Sequence, residues 1–259
     1  MTNDDGVHSK GLWALAKALS DVGDVFVVAP DRDRSGTGTA MTLLDVLRVQ
    51  HLSSPLDGVE AYSVEGTPAD CVILACGNLF SEPFDLVVSG INPGANLGLD
   101  VLSSGTVGGA LQAYYRGIPS VAMSVIYRKD TEVRYDTASR TATALARRLG
   151  NSAHTRTPVL NVNLPDVEPD SIEGVEVTRL GPRAFSENVE VEQVGRRTHY
   201  WIKHNKPAIS RPAEGTDVWA VWNNRVSITP IEPVLTEGKP AVALEPLTKE
   251  VRSALGIRG

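Results

Sequence analysis

Cysteine is nearly absent. Cys71 and Cys76 are the only thiols in 259 residues. They sit in one apolar helical run at a spacing that fits neither a zinc nor a redox motif, so both are expected as buried free thiols. Positive charge is short as well. Lys and Arg number 25 against 31 Asp and Glu, a net charge of −6, which leaves no basic footprint for a nucleic-acid polymer. A small anionic substrate would have to be drawn in locally, by a cation or by backbone N–H groups. No apolar run approaches a membrane span, and the N-terminus lacks a signal-peptide pattern. These absences exclude a membrane partner and place the expected working compartment in the cytoplasm. Repeats and low-complexity segments are also missing. What remains, 42% hydrophobic and 22% charged residues, is ordinary for a globular protein.

The periodicities alternate between strand and helix. Leu12, Leu15, Ala16 and Leu19 mark a helix over 9–20 with Ser9 as its cap. Val25–Ala29 is a short continuous apolar run, the mark of a strand buried on both faces. Strands are expected at 46–52 and 60–64, and a helix from Pro68 to about Cys76 with Thr67 as N-cap. A buried strand at 85–89 leads into a glycine-punctuated loop, 90–98. A helix from Ser104 to about Arg116, a strand at 119–124, a helix at 136–149 and a strand at 158–163 follow. This spacing predicts an α/β fold, doubly wound and Rossmann-like, with a mostly parallel sheet flanked by helices. After Pro165 the pattern changes to strands at 175–180 and 226–228, with a two-residue-periodic hairpin of 189–194 and 198–204 between them. The chain reads as a single domain, 1–259, with a C-terminal β-hairpin extension at 185–212 that caps the core or reaches a neighbouring subunit.

In an open parallel sheet, ligands sit beyond the carboxyl ends of the strands. Asn3-Asp4-Asp5-Gly6, the loop 31–38 and the loop 90–98 each follow a buried strand, so all three lie on one rim. They bring two carboxylates, the hydroxyl of Ser35 and the amides of Asn92 and Asn96. These are oxygen donors for a hard divalent cation. Ser104-Gly105-Thr106 opens a helix, where backbone N–H groups and the helix dipole favour a phosphate oxygen. Each piece has a plainer reading: an acidic turn, a tight glycine turn, an N-cap. Their coincidence on one rim is the signal.

These pieces, taken together, resemble the SurE (survival protein E) family of metal-dependent nucleoside monophosphate phosphatases. The matching runs are Thr2–Gly6, Asp33–Gly36, Gly66–Cys71, Ser89–Gly98, Ser104–Val107, Asn161–Pro165, Gly215–Asp217 and Val226–Pro230, in family order over almost the whole chain. The resemblance implies one divalent cation, Mg²⁺ or Mn²⁺, held by Asp4, Asp5, Ser35 and Asn92. It places Asn96, Ser104, Gly105 and Thr106 around the substrate phosphate. It also implies hydrolysis of a nucleoside 5′-monophosphate, and a homodimer or homotetramer built through the C-terminal segment. Two departures stand out. A Met-Arg-Ile-Leu-like run usual before Thr-Asn-Asp-Asp is reduced here to Met1, and Ser103 stands where an aromatic is common. The first leads us to expect a natural start further upstream, and Asp4 and Asp5 on a frayed terminus if this form folds.

Metal-activated water is the favoured nucleophile, with Asp4 as base or as alternative nucleophile. A non-hydrolytic nucleotide-binding module is the competing reading; the carboxylate pair argues against it, because binding alone needs no activated water. Asp31 and Asp33 match the short DxD of sugar-nucleotide transferases, a weaker third reading. His8 reads as a surface residue, His199 and His204 as exposed hairpin or subunit-contact residues. His51 and His154 carry no motif. No aromatic is clearly placed to stack a base.

Overall fold

The computed structural model describes residues 1–126, 132–150, 158–207 and 211–233. Helix α1 (Lys10–Leu19) begins at Ser9, whose hydroxyl accepts from Leu12 N, and it buries Leu12, Leu15, Ala16 and Leu19. Strands β1 (Phe26–Pro30), β2 (Val49–Leu52) and β3 (Glu60–Val64) form one sheet in the order β1-β3-β2, with β1 and β3 parallel and β2 antiparallel. Strand β2 starts later than the expected residue 46. The Asp45 carboxylate takes the Val46 N–H, which turns the chain away from the ladder, and Val46 stays exposed.

Helix α2 (Pro68–Leu74) carries a full capping box between Thr67 and Asp70. It continues as a wider π turn, Ala75–Leu79, past its expected end. That turn carries Cys76 toward the surface: Cys71 is buried, but Cys76 is only half-buried, contrary to expectation. Strand β4 (Val87–Pro93) runs on through Gly90–Pro93, which the glycine and proline punctuation marks as loop; a register shift between Ser89 and Asn92 absorbs the irregularity. Helix α3 (Gly105–Tyr114), strand β5 (Ser120–Val125), helix α4 (Asp136–Leu149), strand β6 (Val159–Leu164) and strand β7 (Gly174–Val177) follow. A hairpin of β8 (Phe185–Val194) and β9 (Arg197–Pro207) precedes helix α5 (Asp217–Trp222) and strand β10 (Arg225–Ile231). The second sheet runs β4-β5-β6-β10-β7; its first three strands are parallel, and β10 is antiparallel to β6 but parallel to β7. The result is the expected α/β fold with a mostly parallel sheet.

Two residues join the two sheets. Val28 N donates to Met1 O at 2.9 Å and Met1 N to Phe26 O at 2.6 Å. On the other side Thr2 N donates to Val88 O at 3.2 Å and Gly90 N to Thr2 O at 2.9 Å. Met1 and Thr2 thus fill the place of a central strand between β1 and β4. The expectation of a frayed terminus is therefore corrected: Thr2 and Asn3 are buried, and this first segment is paired on both sides. From it the chain runs outward through α1 to β1 and on to β3, and α2 then crosses from β3 to β4 on its other side. That makes it the point where strand order reverses.

The largest core cluster packs α1 and α4 on one face of this joined sheet, with Leu12, Leu15, Ile91, Met123 and Leu164 all fully buried. Each such side chain contributes roughly 1.5–3 kcal/mol by leaving water. The hairpin behaves differently. Its strands pair only as a separate two-stranded sheet, and Val189, Val191, Tyr200, Trp201 and Ile202 are exposed. Its ladder is longer than the expected 189–194 and 198–204; residues 208–210 of the expected extension lie outside the described residues. Among the described residues, no helix is long and apolar enough to cross a membrane.

Candidate active site

The site begins with the turn after Thr2. Asn3 Nδ2 donates to Gly6 O at 3.0 Å and to Ser9 Oγ at 2.7 Å, closing the turn onto the cap of α1. Gly6 adopts φ +96 against the backbone of Arg32, where a Cβ would come within 3.0 Å. Val7 N donates to Pro30 O and Arg34 N to Asp4 O, both at 2.7 Å. The first turn and the loop 31–38 are thereby stitched together.

Asp4 is 4% exposed. Its Oδ1 accepts the Thr106 hydroxyl at 2.6 Å, and the Thr106 backbone N–H also faces it. The anion at the start of α3 is therefore Asp4 itself. Gly105 permits this approach: a Cβ there would lie 2.8 Å from Asp4 Cβ. Burial pushes the Asp4 carboxyl pKa up, the Thr106 hydrogen bonds oppose it, and the charge of Asp33 adds to it. Asp5 is pushed up to about 7, first by burial and then by the charges of Asp4 and Asp33. Asp5 Oδ2 is buried without a protein hydrogen-bond partner. Two adjacent carboxylates, one buried and the other half-buried with an orphaned oxygen, fit the binding of a cation.

The neutral donors are arranged to match. Ser35 Oγ donates to Asp33 Oδ1 at 2.6 Å, and Ser35 N donates to the same oxygen at 2.7 Å. With its proton committed, the hydroxyl keeps its lone pairs for a cation. Asn92 Nδ2 donates to Gly94 O at 2.6 Å, which turns the Oδ1 end of its amide away from that bond. Asn96 is fixed by four contacts. Its N donates to Asn163 Oδ1 and its Nδ2 to Ser124 Oγ, both at 2.8 Å, while Asn161 and Asn163 donate to its carbonyl at 2.9 and 3.0 Å. Ser104 caps α3, accepting from Val107 N at 3.1 Å.

These residues open into one cleft of about 580 Å³. Asp4, Ser35, Asn92, Asn96 and Ser104 line it. Asp5, Gly105 and Thr106 do not line it; Gly105 and Thr106 pack against Asp4 behind the wall, and Asp5 adjoins it in the chain. His8 and His199 are exposed, His51 stacks edge-on with Tyr62, and His154 lies outside the described residues. Four further residues support the site without having been assigned a role in it from the sequence. Asp33 has its sequence signal in the Asx-turn spacing to Ser35. Asn161 and Asn163 are wholly buried amides on a strand, polar groups at positions that the strand pattern alone would give to apolar side chains. Trp222, on the far wall of the cleft, carries no sequence signal at all.

Fold and rim together define an α/β protein with an oxygen-donor rim beside a helix start, at the switch point of a doubly wound sheet. The family model described as "Survival protein SurE" matches residues 1–187. A "5'-nucleotidase SurE" from Dehalococcoides mccartyi (strain CBDB1) is 47% identical over 229 residues, 88% of this chain and 86% of the relative. One of the same description from Legionella pneumophila (strain Philadelphia 1) is 44% identical over 253 residues, 97% of each. The crystal structure of the SurE protein from Aquifex aeolicus superposes with a TM-score of 0.75 at 35% identity, covering 98% of both chains. The chain belongs to the SurE family.

Proposed function

We infer that this chain is a metal-dependent 5′-nucleotidase, hydrolysing nucleoside 5′-monophosphates to nucleoside and phosphate in the cytoplasm. The relatives named 5'-nucleotidase SurE support the activity. The observation that carries the mechanism is buried Asp4 beside half-buried Asp5 with its orphaned oxygen, Asp4 sharing one cleft with Ser35 and Asn92. Asp4, Asp5, Ser35 and Asn92 would hold one divalent cation, Mg²⁺ or Mn²⁺, whose chemistry is to lower the pKa of water and to neutralise charge on phosphoryl oxygens. Thr106 fixes the Asp4 carboxylate in one orientation. Asp4 would then take a proton from the attacking water. Asn96 and Ser104 steady the phosphate from the cleft wall. Gly105 acts by leaving room for Asp4, and Thr106 acts through it. A non-hydrolytic nucleotide-binding module is not favoured, since it gives the carboxylate pair no task.

The exposed hairpin supports assembly into a homodimer or homotetramer: one apolar face of the ribbon, Val189, Val191, Tyr200 and Ile202, is left to water in the single chain. On this reading the whole of 1–259 is one SurE-like domain, and the hairpin is an extension of it. Phosphate release from AMP and GMP, measured with Mg²⁺, with Mn²⁺ and with chelator, tests the activity. Metal-stimulated release is expected; its absence for every nucleotide and both metals would refute it.

A further inference from the structure

The lining of the cleft is of two kinds. One is the oxygen-donor rim. The other, an apolar wall, includes Ile126, Pro165, Val221 and Trp222. A phosphate needs nothing from this apolar wall. At about 580 Å³ the space is within the range of small-molecule sites and is larger than a phosphate group alone requires. Trp222 is 39% exposed at the last position of α5. The helix is not free to drift. Asp217, fully buried at its start, accepts Gly98 N at 2.7 Å and Gly181 N at 2.8 Å. Gly98 closes the short loop that follows Asn92 at the end of β4 and carries Asn96, so the tryptophan wall and the oxygen rim are tied together. The other tryptophan of the helix, Trp219, has the Arg225 guanidinium over its ring at 5.9 Å and does not line the cleft.

We propose that Trp222 is the platform on which the nucleotide base stacks, and so sets the enzyme's preference for a nucleotide over a phosphate ester without a base. The proposal rests on the nucleotidase reading and extends it to the part of the substrate that does not react. Indole offers a large flat face, and base–aromatic stacking tolerates any base because each presents a π-face. It acts on binding and leaves the phosphoryl chemistry at the far wall alone.

The test compares AMP with ribose 5-phosphate, which carries the same phosphate and sugar without the base. In wild-type protein kcat/KM should favour AMP. Trp222→Ala should cut that preference about tenfold, within the range of base stacking on aromatics, with the loss in KM. Trp222→Phe, which keeps a ring at the helix end, should restore most of it. Calorimetric titration of the same proteins with both ligands reads binding without turnover. If no ester is hydrolysed, the nucleotidase reading fails while the titration still decides the platform. A wild-type protein that binds AMP no better than ribose 5-phosphate overturns the proposal. So does a Trp222→Ala protein, or a Trp222→Phe protein if the alanine variant does not fold, in which both ligands weaken equally.

Discussion

The rim and the hairpin sit at opposite ends of one physical scale. Around Asp4 the backbone and many side chains are paired within the chain: Thr106 to the carboxylate, Arg34 N to the carbonyl, Asn3 Nδ2 to the turn, Asn161 and Asn163 to the Asn96 loop, while Asp5 Oδ2, Asn3 Oδ1, Arg34 Nε and Asn161 Oδ1 are buried without a partner. The hairpin has its own ladder and a few ion pairs such as Lys203 with Glu190, while Val189, Val191, Tyr200 and Ile202 stand in water. Regions whose contacts close within the chain can be held to the tolerance that catalysis needs. A ribbon with an apolar face in water lacks such closure. The difference teaches that the rim is held in place by contacts within the described chain, whereas the apolar face of the hairpin finds no cover among the described residues.

Breaking the rim should cost most. Gly105→Ala places a methyl group 2.8 Å from Asp4 Cβ. Alanine favours the helix, so circular dichroism should report an intact fold. Phosphate release should nevertheless fall on the order of a hundredfold, as expected for a displaced reacting group. Thr106→Val removes the hydroxyl that orients Asp4 without changing the shape of the helix start. About a tenfold loss of activity or of metal affinity is expected, at the low end for partners behind a metal ligand. Paired Trp201→Ser and Ile202→Ser changes in the hairpin should have the smallest effect on chemistry. They should reduce the assembly seen by size-exclusion chromatography with light scattering and leave metal-dependent phosphate release near wild type. An unchanged assembly would show that the hairpin is not the interface; a collapse of activity equal to that of Gly105→Ala would erase the distinction between the two regions.

Much of this was legible in the sequence, for reasons visible at particular residues. Helix α1 declared itself by its apolar stripe and Ser9, and α2 by Thr67, Pro68 and Asp70, because these signals are local. The rim could be assembled on paper because strand ends in a parallel sheet share one edge, which brings Asp4, Ser35, Asn92 and Asn96 to one cleft. What stayed hidden depends on contacts distant in sequence. The pairing of Met1 and Thr2 with two strands, each far along the chain, rescues a segment that looks frayed when read alone. The engagement of Thr106 with Asp4 spans 102 residues, so a residue that reads as a phosphate contact is committed to a carboxylate instead. Asn92 reads as loop and lies on β4, because that strand runs past its own glycine and proline. Trp222 becomes part of the cleft only through Asp217 and its bond to Gly98, 119 residues away.

The most direct test of the central claim, that Asp4 and its neighbours form a metal-dependent phosphatase site, is phosphate release from AMP by wild-type and Asp4→Asn protein side by side, each with Mn²⁺ and with chelator. The account predicts release by the wild type only when metal is present, and a loss of at least about a thousandfold in the variant at unchanged fold, the scale of removing a group that acts on the transition state. Release from wild-type protein that survives chelation, or an Asp4→Asn protein that turns over AMP at near the wild-type rate, would contradict it.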